Sequence, residues 1–436
     1  MSGDPRALAR PAFADLLDAC VHCGFCLPVC PTYRLWGEEM DSPRGRIYMM
    51  KGVVEGDPIT PKVADHFDRC LGCMACVTAC PSGVQYDKLI QETRAEVESR
   101  TRRSFFLAVF RRVVFWLFPH RERLRLLVGP LRLFQSRLLS RLVRTRAVQD
   151  RMPLAIRTMA SLVPPIDRQT VPLPSLVTAV GERRGHVGML TGCVQSVFFP
   201  SVNWATARVL AAEGFDVVIP DSQPCCGALS SHAGRLEEAR SFARSMIRSF
   251  DDAKVSSIVV NSAGCGSAMK EYGHLLEQDP LFAKDAARFG ASVFDFAEFV
   301  DQHPCRAEYH PVNIRAAYHD ACHLAHAQGI TAAPRRVLAR VPGLEVVEVP
   351  EGNFCCGSAG VYNLFQPGPA AALGERKARN LLSTEARILI AANPGCSMQI
   401  ASACARLGQR LAVAHTAEIL DMSIRNLASS TSAVPS

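Results

Sequence analysis

Two twelve-residue runs constrain this chain more than anything else in it: "CVHCGFCLPVCP" over Cys20–Pro31 and "CLGCMACVTACP" over Cys70–Pro81. Both read C-x2-C-x2-C-x3-C-P. Two residues between successive cysteines bring three thiolates from one tight loop onto one corner of a compact inorganic core. The fourth cysteine points away, and in chains with two such runs it ligates the other cluster. The expected arrangement is therefore crossed: Cys20, Cys23, Cys26 and Cys80 for one [4Fe–4S] cluster, and Cys70, Cys73, Cys76 and Cys30 for a second. Pro31 and Pro81 are expected to stop the local helix and turn the chain away. A structural zinc site needs four ligands, usually as two separated pairs, and has no use for a third C-x2-C step. Disulfides suit small secreted scaffolds rather than a chain of 436 residues.

Composition adds limits. The apolar fraction of 48% is ample for buried cores, and the length suggests two or three domains. Eighteen cysteines are too few for a disulfide scaffold and too many for an ordinary cytosolic enzyme. The first twenty residues lack the apolar run of a signal peptide, and no stretch approaches the ~18 apolar residues that span a bilayer. The expectation is a cytoplasmic chain, soluble or peripheral on the inner membrane's cytoplasmic face, where thiols stay reduced. The net charge of +8 is an uneven average. Between Arg100 and Arg151 stand 14 arginines against Glu122 and Asp150, a local net of +12, while the rest of the chain is slightly acidic.

Residues 1–100 hold the two cages. Asp41-Ser42-Pro43 with Gly45 reads as a turn and "RIYMMKGVV" as a helix packing the lobes together. Arg44 and Arg46 are candidates for easing electron uptake nearby, or else belong to a solvated turn. The long spacer and scarcity of β-branched runs predict a mostly helical ferredoxin-type domain. Residues 101–185 follow. Leu107, Phe110, Val114 and Leu117 recur at helical spacing, as do Leu131, Phe134, Leu138 and Leu142, with Pro119 and Pro130 breaking the run. Such arginine-rich amphipathic helices suit either packing on the protein itself or a partner, or an anionic membrane; nucleic acid is not expected. "SLVPPIDRQTVPLPS" reads as a linker.

From His186 the chain repeats itself. "HVGMLTGC" matches "IRAAYHDAC", "DVVIPDSQPCCG" matches "EVVEVPEGNFCCG", and "SSIVVNSAGC" matches "ARILIAANPGC", at offsets of 129, 130 and 131 residues. Near-constant offsets mean a duplication, with one copy over 186–303 and the next over 304–436. Short β-branched runs alternate with helical stretches, which predicts a parallel α/β sheet in each copy. Every repeated cysteine falls just past a predicted strand end, where open α/β sheets place their sites. Gly227 and Gly357 would permit the turn that brings adjacent sulfurs to one centre. Cys193, Cys225, Cys226 and Cys265, then Cys322, Cys355, Cys356 and Cys396, are thus candidate metal ligands. Redox-active or inert thiols are the alternatives. Cys305 and Cys404 lie outside the repeat and read as ordinary buried cysteines. The expected fold class is α+β multidomain: a mostly helical two-cluster ferredoxin domain, then two repeated α/β cysteine-rich domains.

"CVHCGFCLPVCPTY", "DSPRGRIY", "DRCLGCMACVTACPSGVQY" and the doubled CCG together resemble the iron–sulfur subunit of bacterial glycolate oxidase (glycolate dehydrogenase) over essentially the whole chain. The subunits of anaerobic glycerol-3-phosphate dehydrogenase, lactate-utilisation proteins and heterodisulfide reductase are similar in the same way. The resemblance implies an oxidoreductase complex in which a flavoprotein partner carries FAD and oxidises glycolate to glyoxylate, while this chain passes electrons towards quinone. Heterodisulfide reductases end each such repeat with a fifth cysteine, where this chain has Ala268 and Gln399. A conventional four-ligand iron–sulfur or zinc centre remains open, and His319, His323 and His326 beside Cys322 are candidate extra ligands or ordinary satisfied histidines. No G-x-G-x-x-G follows a strand, so the isolated chain is expected to be inactive on glycolate and to carry no catalytic residue for it. The competing readings are a self-contained catalyst at the repeats and a zinc-stabilised docking scaffold.

Overall fold

Prolines set most helix starts in the first hundred residues. Helices α1 (Pro11–Asp18), α2 (Pro31–Trp36), α3 (Pro43–Glu55) and α4 (Pro61–Asp68) each begin on one, where the missing N–H costs nothing. Pro31 therefore opens α2 rather than ending a helix, contrary to the expectation from sequence. The Ser42 hydroxyl accepts from the Gly45 amide at 2.9 Å to cap α3, and Thr60 caps α4 in the same way. Short α5 (Ala75–Thr78) and long α6 (Tyr86–Arg100) complete the lobe. Phe13, Leu17, Ile47, Met50, Phe67 and Leu89 form its core. The computed structural model describes residues 8, 11–134, 154–164 and 171–427, and among these no strand precedes Leu176. The first domain is helical, as its sequence predicts.

Helices α7 (Phe105–Leu117) and α8 (Arg121–Phe134) flank Pro119. Pro130 does not break the run: α8 continues through it, forgoing one backbone hydrogen bond. The predicted stripe on α7 faces inward. Phe110 and Val114 pack with Val361 and Leu364 of the second repeat and Leu229 of the first, and Leu117 packs with Leu124 and Val197. Self-packing therefore takes this stripe. α9 (Leu154–Leu162) also rests on the second repeat. Leu138, Leu142 and residues 165–170 of the proline-rich stretch lie outside the described residues.

Each repeat is a small parallel sheet. In the first, β2 (Gly185–Leu190), β3 (Phe215–Val218), β4 (Ile258–Val260) and β5 (Val293–Asp295) run in the order β3-β2-β4-β5, with β1 (Leu176–Val177) added antiparallel on β3. In the second, β6 (Arg315–His319), β7 (Glu345–Glu348), β8 (Ile388–Ala391) and β9 (Ala412–Ala414) run β7-β6-β8-β9. The two orders are identical once β1 is set aside, so the duplication extends from sequence to topology. The chain leaves β2 towards one edge and β4 towards the other, so the crevice between their C-terminal ends is a topological switch point, and likewise between β6 and β8. The β4 and β8 ends meet: the Ala263 amide donates to the Ala392 carbonyl at 3.0 Å, and the Gly264 amide to Asn393 Oδ1 at 3.3 Å. Val187, Met189, Val259, Tyr318 and Ile388 share one core. Cys404 is buried, as expected. Cys305 is not: it is exposed on the irregular segment joining the repeats, which lies over the surface.

Candidate metal centres

The first cage is a surface loop turned in on itself. His22 and Gly24 both have positive φ, and Gly72 and Met74 occupy the same two places in the second cage. Two left-handed residues separated by one reverse the backbone direction tightly enough for the sulfurs to converge. At Gly24 the close neighbour is the Arg44 guanidinium, 2.9 Å from where a Cβ would stand. Cys20, Cys23, Cys26 and Cys80 line one cavity with Arg44, Pro43 and Ile47, and Cys76 of the second cage reaches the same cavity. Cys23 is exposed, and Val21 and Phe25 beside it stand in solvent. Burial raises the Cys26 thiol to about 11.

The second set, Cys30, Cys70, Cys73 and Cys76, is buried throughout. Burial alone would raise the Cys70 thiol, but Arg46 and Arg94 outweigh it, helped by the Gly72 amide and Tyr86 hydroxyl, and hold it below the usual thiol range. Arg46 is only 1% exposed. Its guanidinium donates to the His66 carbonyl at 2.7 Å, to Thr32 Oγ1 at 3.2 Å and to Asp41 Oδ1 at 3.3 Å. The solvated-turn alternative thus fails for Arg46, while half-exposed Arg44 pairs with Glu39 at 2.8 Å and borders the first cage. Burial, then repulsion from Cys73, Cys70 and Cys30, pushes the Cys76 thiol well up. A cation relieves that repulsion, so the donor set fits a metal centre.

The repeats bring all eight of their cysteines to the switch points. In the first, Cys193 Sγ lies 3.7 Å from Cys225 Sγ, and the Cys225 and Cys265 thiols stand beside Cys226. Those two thiols hold Cys226 well below its usual range. In the second, Cys356 Sγ is 3.3 Å from Cys396 Sγ, and the Cys322 and Cys356 thiols flank Cys355. One device recurs in three places. The amide two residues after a cysteine donates to its sulfur: Gly72 to Cys70 and Gly227 to Cys225, both at 3.4 Å, and Gly357 to Cys355 at 3.5 Å. Gly357 has φ +86°, and a Cβ there would stand 2.8 Å from the Ala370 carbonyl oxygen. Gln399, at the missing fifth position, is a satisfied core amide bonded to Ala370 and Asn363. His323 bonds the Gly72 carbonyl and Ser267, and His326 bonds Thr78 and the Asn353 carbonyl. His319 ends β6, fully buried.

Contacts between domains order these sets in space. Cys73 sits in one apolar cluster with Cys322, Cys355, Phe354 and Tyr362, so the second cage abuts the second repeat. Cys226 instead borders a crevice shared by all three domains, lined also by Arg94, His232, Glu271 and His323. Arg94 bonds the His232 carbonyl and also reaches the Cys70 carbonyl. Arg94, His232 and Tyr86 escape sequence reading because no spacing marks them; only the docking of α6 on the first repeat gives them their place.

A helical lobe with two four-cysteine cages, joined to two α/β repeats that each gather four more thiols, defines the class of iron–sulfur proteins. Known families agree with that class. Residues 16–84 match the 4Fe-4S dicluster domain, residues 187–270 and 316–401 the cysteine-rich domain, and residues 107–163 the linker region of the glycolate oxidase iron–sulfur subunit. The chain is 34% identical to the probable glycolate oxidase iron–sulfur subunit of Bacillus subtilis, over 92% of each chain. It is also 34% identical to the glycolate oxidase iron–sulfur subunit of Escherichia coli, over 97% of this chain and 98% of that one. Lactate utilization protein A of Geobacillus kaustophilus is 32% identical over 54% of this chain. A solved hypothetical protein from Helicobacter pylori shares the fold alone, with a TM-score of 0.54 at 8% identity over 97% of this chain. The chain belongs to the family of glycolate oxidase iron–sulfur subunits.

Proposed function

We propose that this chain is the electron-transfer subunit of a membrane-associated glycolate-oxidising complex, receiving electrons from an FAD-bearing partner and delivering them towards quinone. In this reading Cys20, Cys23, Cys26 and Cys80 hold one [4Fe–4S] cluster and Cys70, Cys73, Cys76 and Cys30 the second, with a further iron–sulfur or zinc centre in each repeat. Such clusters supply one-electron transfer, whereas oxidising a 2-hydroxy acid releases two electrons, which a flavin can accept together and pass on singly.

The observation that carries the reading is that Cys73 shares one apolar cluster with Cys322 and Cys355. Together with Cys76, which lines the cavity of the first cage, it makes the thiol sites neighbours from the exposed Cys23 loop, through the buried second cage, to the second repeat. The chain's own residues set the conditions for that passage. Arg46 and Arg94 place positive charge beside Cys70, apolar side chains exclude water, and the glycine amides hold the sulfurs. Exposed Val21 and Phe25 beside Cys23 suit docking of the flavoprotein.

Membrane contact rests on a different face. Phe105, Phe106, Val109, Val113 and Trp116 stand exposed along the outer side of α7, and the Arg123 guanidinium lies 4.5 Å from the Trp116 ring centroid. Aromatic side chains among arginines suit the headgroup region of an anionic bilayer. Among the described residues no helix is long and apolar enough to cross one, so the contact would be peripheral.

Tagged chain recovered under anaerobic conditions tests the proposal. It should bring down a flavoprotein, and that complex should reduce a dye with glycolate, while the isolated, flavin-free chain should not. Turnover by the isolated chain would return the advantage to a self-contained catalyst.

A further inference from the structure

His319 is a buried histidine with nothing to hold. It is 1% exposed, and neither ring nitrogen has a hydrogen-bond partner in the protein. Burying an imidazole with its N–H and its lone pair both unmatched is costly, and the chain's other buried histidines avoid it. His66 bonds Asp41 at 3.0 Å, and His415 accepts from the Ala417 amide at 3.0 Å through Nδ1, its Nε2 alone being unpartnered; half-buried His323 has partners on both nitrogens. The orphaned ring of His319 instead lies among sulfurs. One of its nitrogens and the Cys356 and Cys396 sulfurs all fall within 4.8 Å of one another. The backbone explains the placement. His319 is the last residue of β6 and pairs with Ala391 at the end of β8, which puts it on the rim of the switch-point crevice where Cys322 and Cys396 follow.

The first repeat has no counterpart. Counting back from Cys193 as from Cys322, the matching residue is Leu190, which packs in the apolar core with Cys193, Cys225 and Cys226. The repeats also differ in charge: Lys377 is 2% exposed and donates to the Glu351 and Gly352 carbonyls at 2.7 and 3.0 Å; burial pulls its ammonium down, and the neighbouring Cys356, Cys355 and Cys396 sulfurs favour it.

We propose that His319 is a metal ligand, so that the second repeat offers a five-donor set of Cys322, Cys355, Cys356, Cys396 and His319, while the first offers cysteines alone. This rests on the reading that the repeats hold metal centres. An imidazole is neutral where a thiolate is charged, and exchange of thiolate for imidazole raises the reduction potential of an iron–sulfur site. The buried ammonium of Lys377 acts in the same direction. His319 would therefore make the second repeat, the one touching Cys73, the more readily reduced of the pair.

The test uses full-length chain purified anaerobically from cells fed 15N-histidine, with metal content measured per chain and pulsed EPR recorded across a redox titration. Two [4Fe–4S] clusters account for about eight irons. Expected are metal beyond that number and a histidine-nitrogen coupling outside the cage signals. The coupling should vanish in His319→Ala and in His319→Cys, with the cysteine variant retaining the extra metal and both variants keeping the cage signals. If the extra metal is zinc, a nitrogen shell in its X-ray absorption spectrum replaces the coupling and should be lost in the same variants. Extra metal without a histidine signal, or with one that survives both variants, overturns the assignment of His319 and leaves the centres standing. No metal beyond about eight irons overturns both.

Discussion

At the scale of single residues, the second cage is marked by buried charge. Arg46 is fully enclosed beside Cys70 and Cys30, where solvent cannot screen it. A unit charge several ångströms away at an effective dielectric of ~20 is worth on the order of 2 kcal/mol. For a one-electron couple that is on the order of 90 mV. Arg46→Leu should lower the midpoint potential of the second cage by up to that amount, and Arg44→Ala should lower that of the first by less, since Arg44 is half exposed and paired with Glu39. EPR-monitored redox titration reads both, and unchanged potentials would mean that these arginines serve only to fold the loop. Arg46→Leu also removes the donor to the His66 carbonyl and Thr32 and leaves Asp41 with His66 and Arg69 alone, so a lower melting temperature should accompany it; Arg44→Ala keeps the test open if that variant unfolds. The cage itself is checked by Cys23→Ala. It should abolish one EPR signal and spare the second, because alanine offers iron neither charge nor a bond.

Elements were legible where a short spacing or a strict periodicity wrote them. The cages and the six cysteine landmarks of the repeats follow from covalent spacing and from a duplication that the sheet orders repeat. The inner stripe of α7 followed from its period. Its outer stripe did not, because Phe106, Val109, Val113 and Trp116 repeat with the same period one-third of a turn away, and a helix apolar on two faces blurs a single pattern. Pro130 misled because a proline late in a helix removes only one bond, and Pro31 because proline is welcome at a helix's first position. Two predictions belong here. Phe106→Ser with Trp116→Ser should weaken sedimentation with anionic vesicles at least tenfold, since each large side chain is worth about 1.5–3 kcal/mol when buried. Binding should fall with salt in the unaltered chain. Equal binding to neutral and anionic vesicles would contradict the membrane reading. Gly357→Ala should cost roughly 1–3 kcal/mol through its left-handed backbone and the Ala370 carbonyl, lowering the melting temperature and the metal retained by the second repeat. Gly83→Ala, also left-handed but facing open space, should cost less.

For the whole molecule, what could not be read from sequence is how the domains meet. The apolar cluster that holds both Cys73 and Cys322 joins residues 249 apart in the chain, and no local pattern records it. Nor does any pattern predict that His232 and His323, from different repeats, would stack edge to face at 4.7 Å beside Gly72. These junctions turn separate thiol sites into a sequence of neighbours, and the account of the chain as an electron carrier depends on them. The most direct measurement mixes anaerobically oxidised chain with glycolate, with and without its flavoprotein partner, and records EPR. Reduced-cluster signals should appear only when glycolate and the partner are both present. Signals produced by glycolate acting on the chain alone, or none with the partner added, would contradict the assignment of this chain as the electron-transfer subunit.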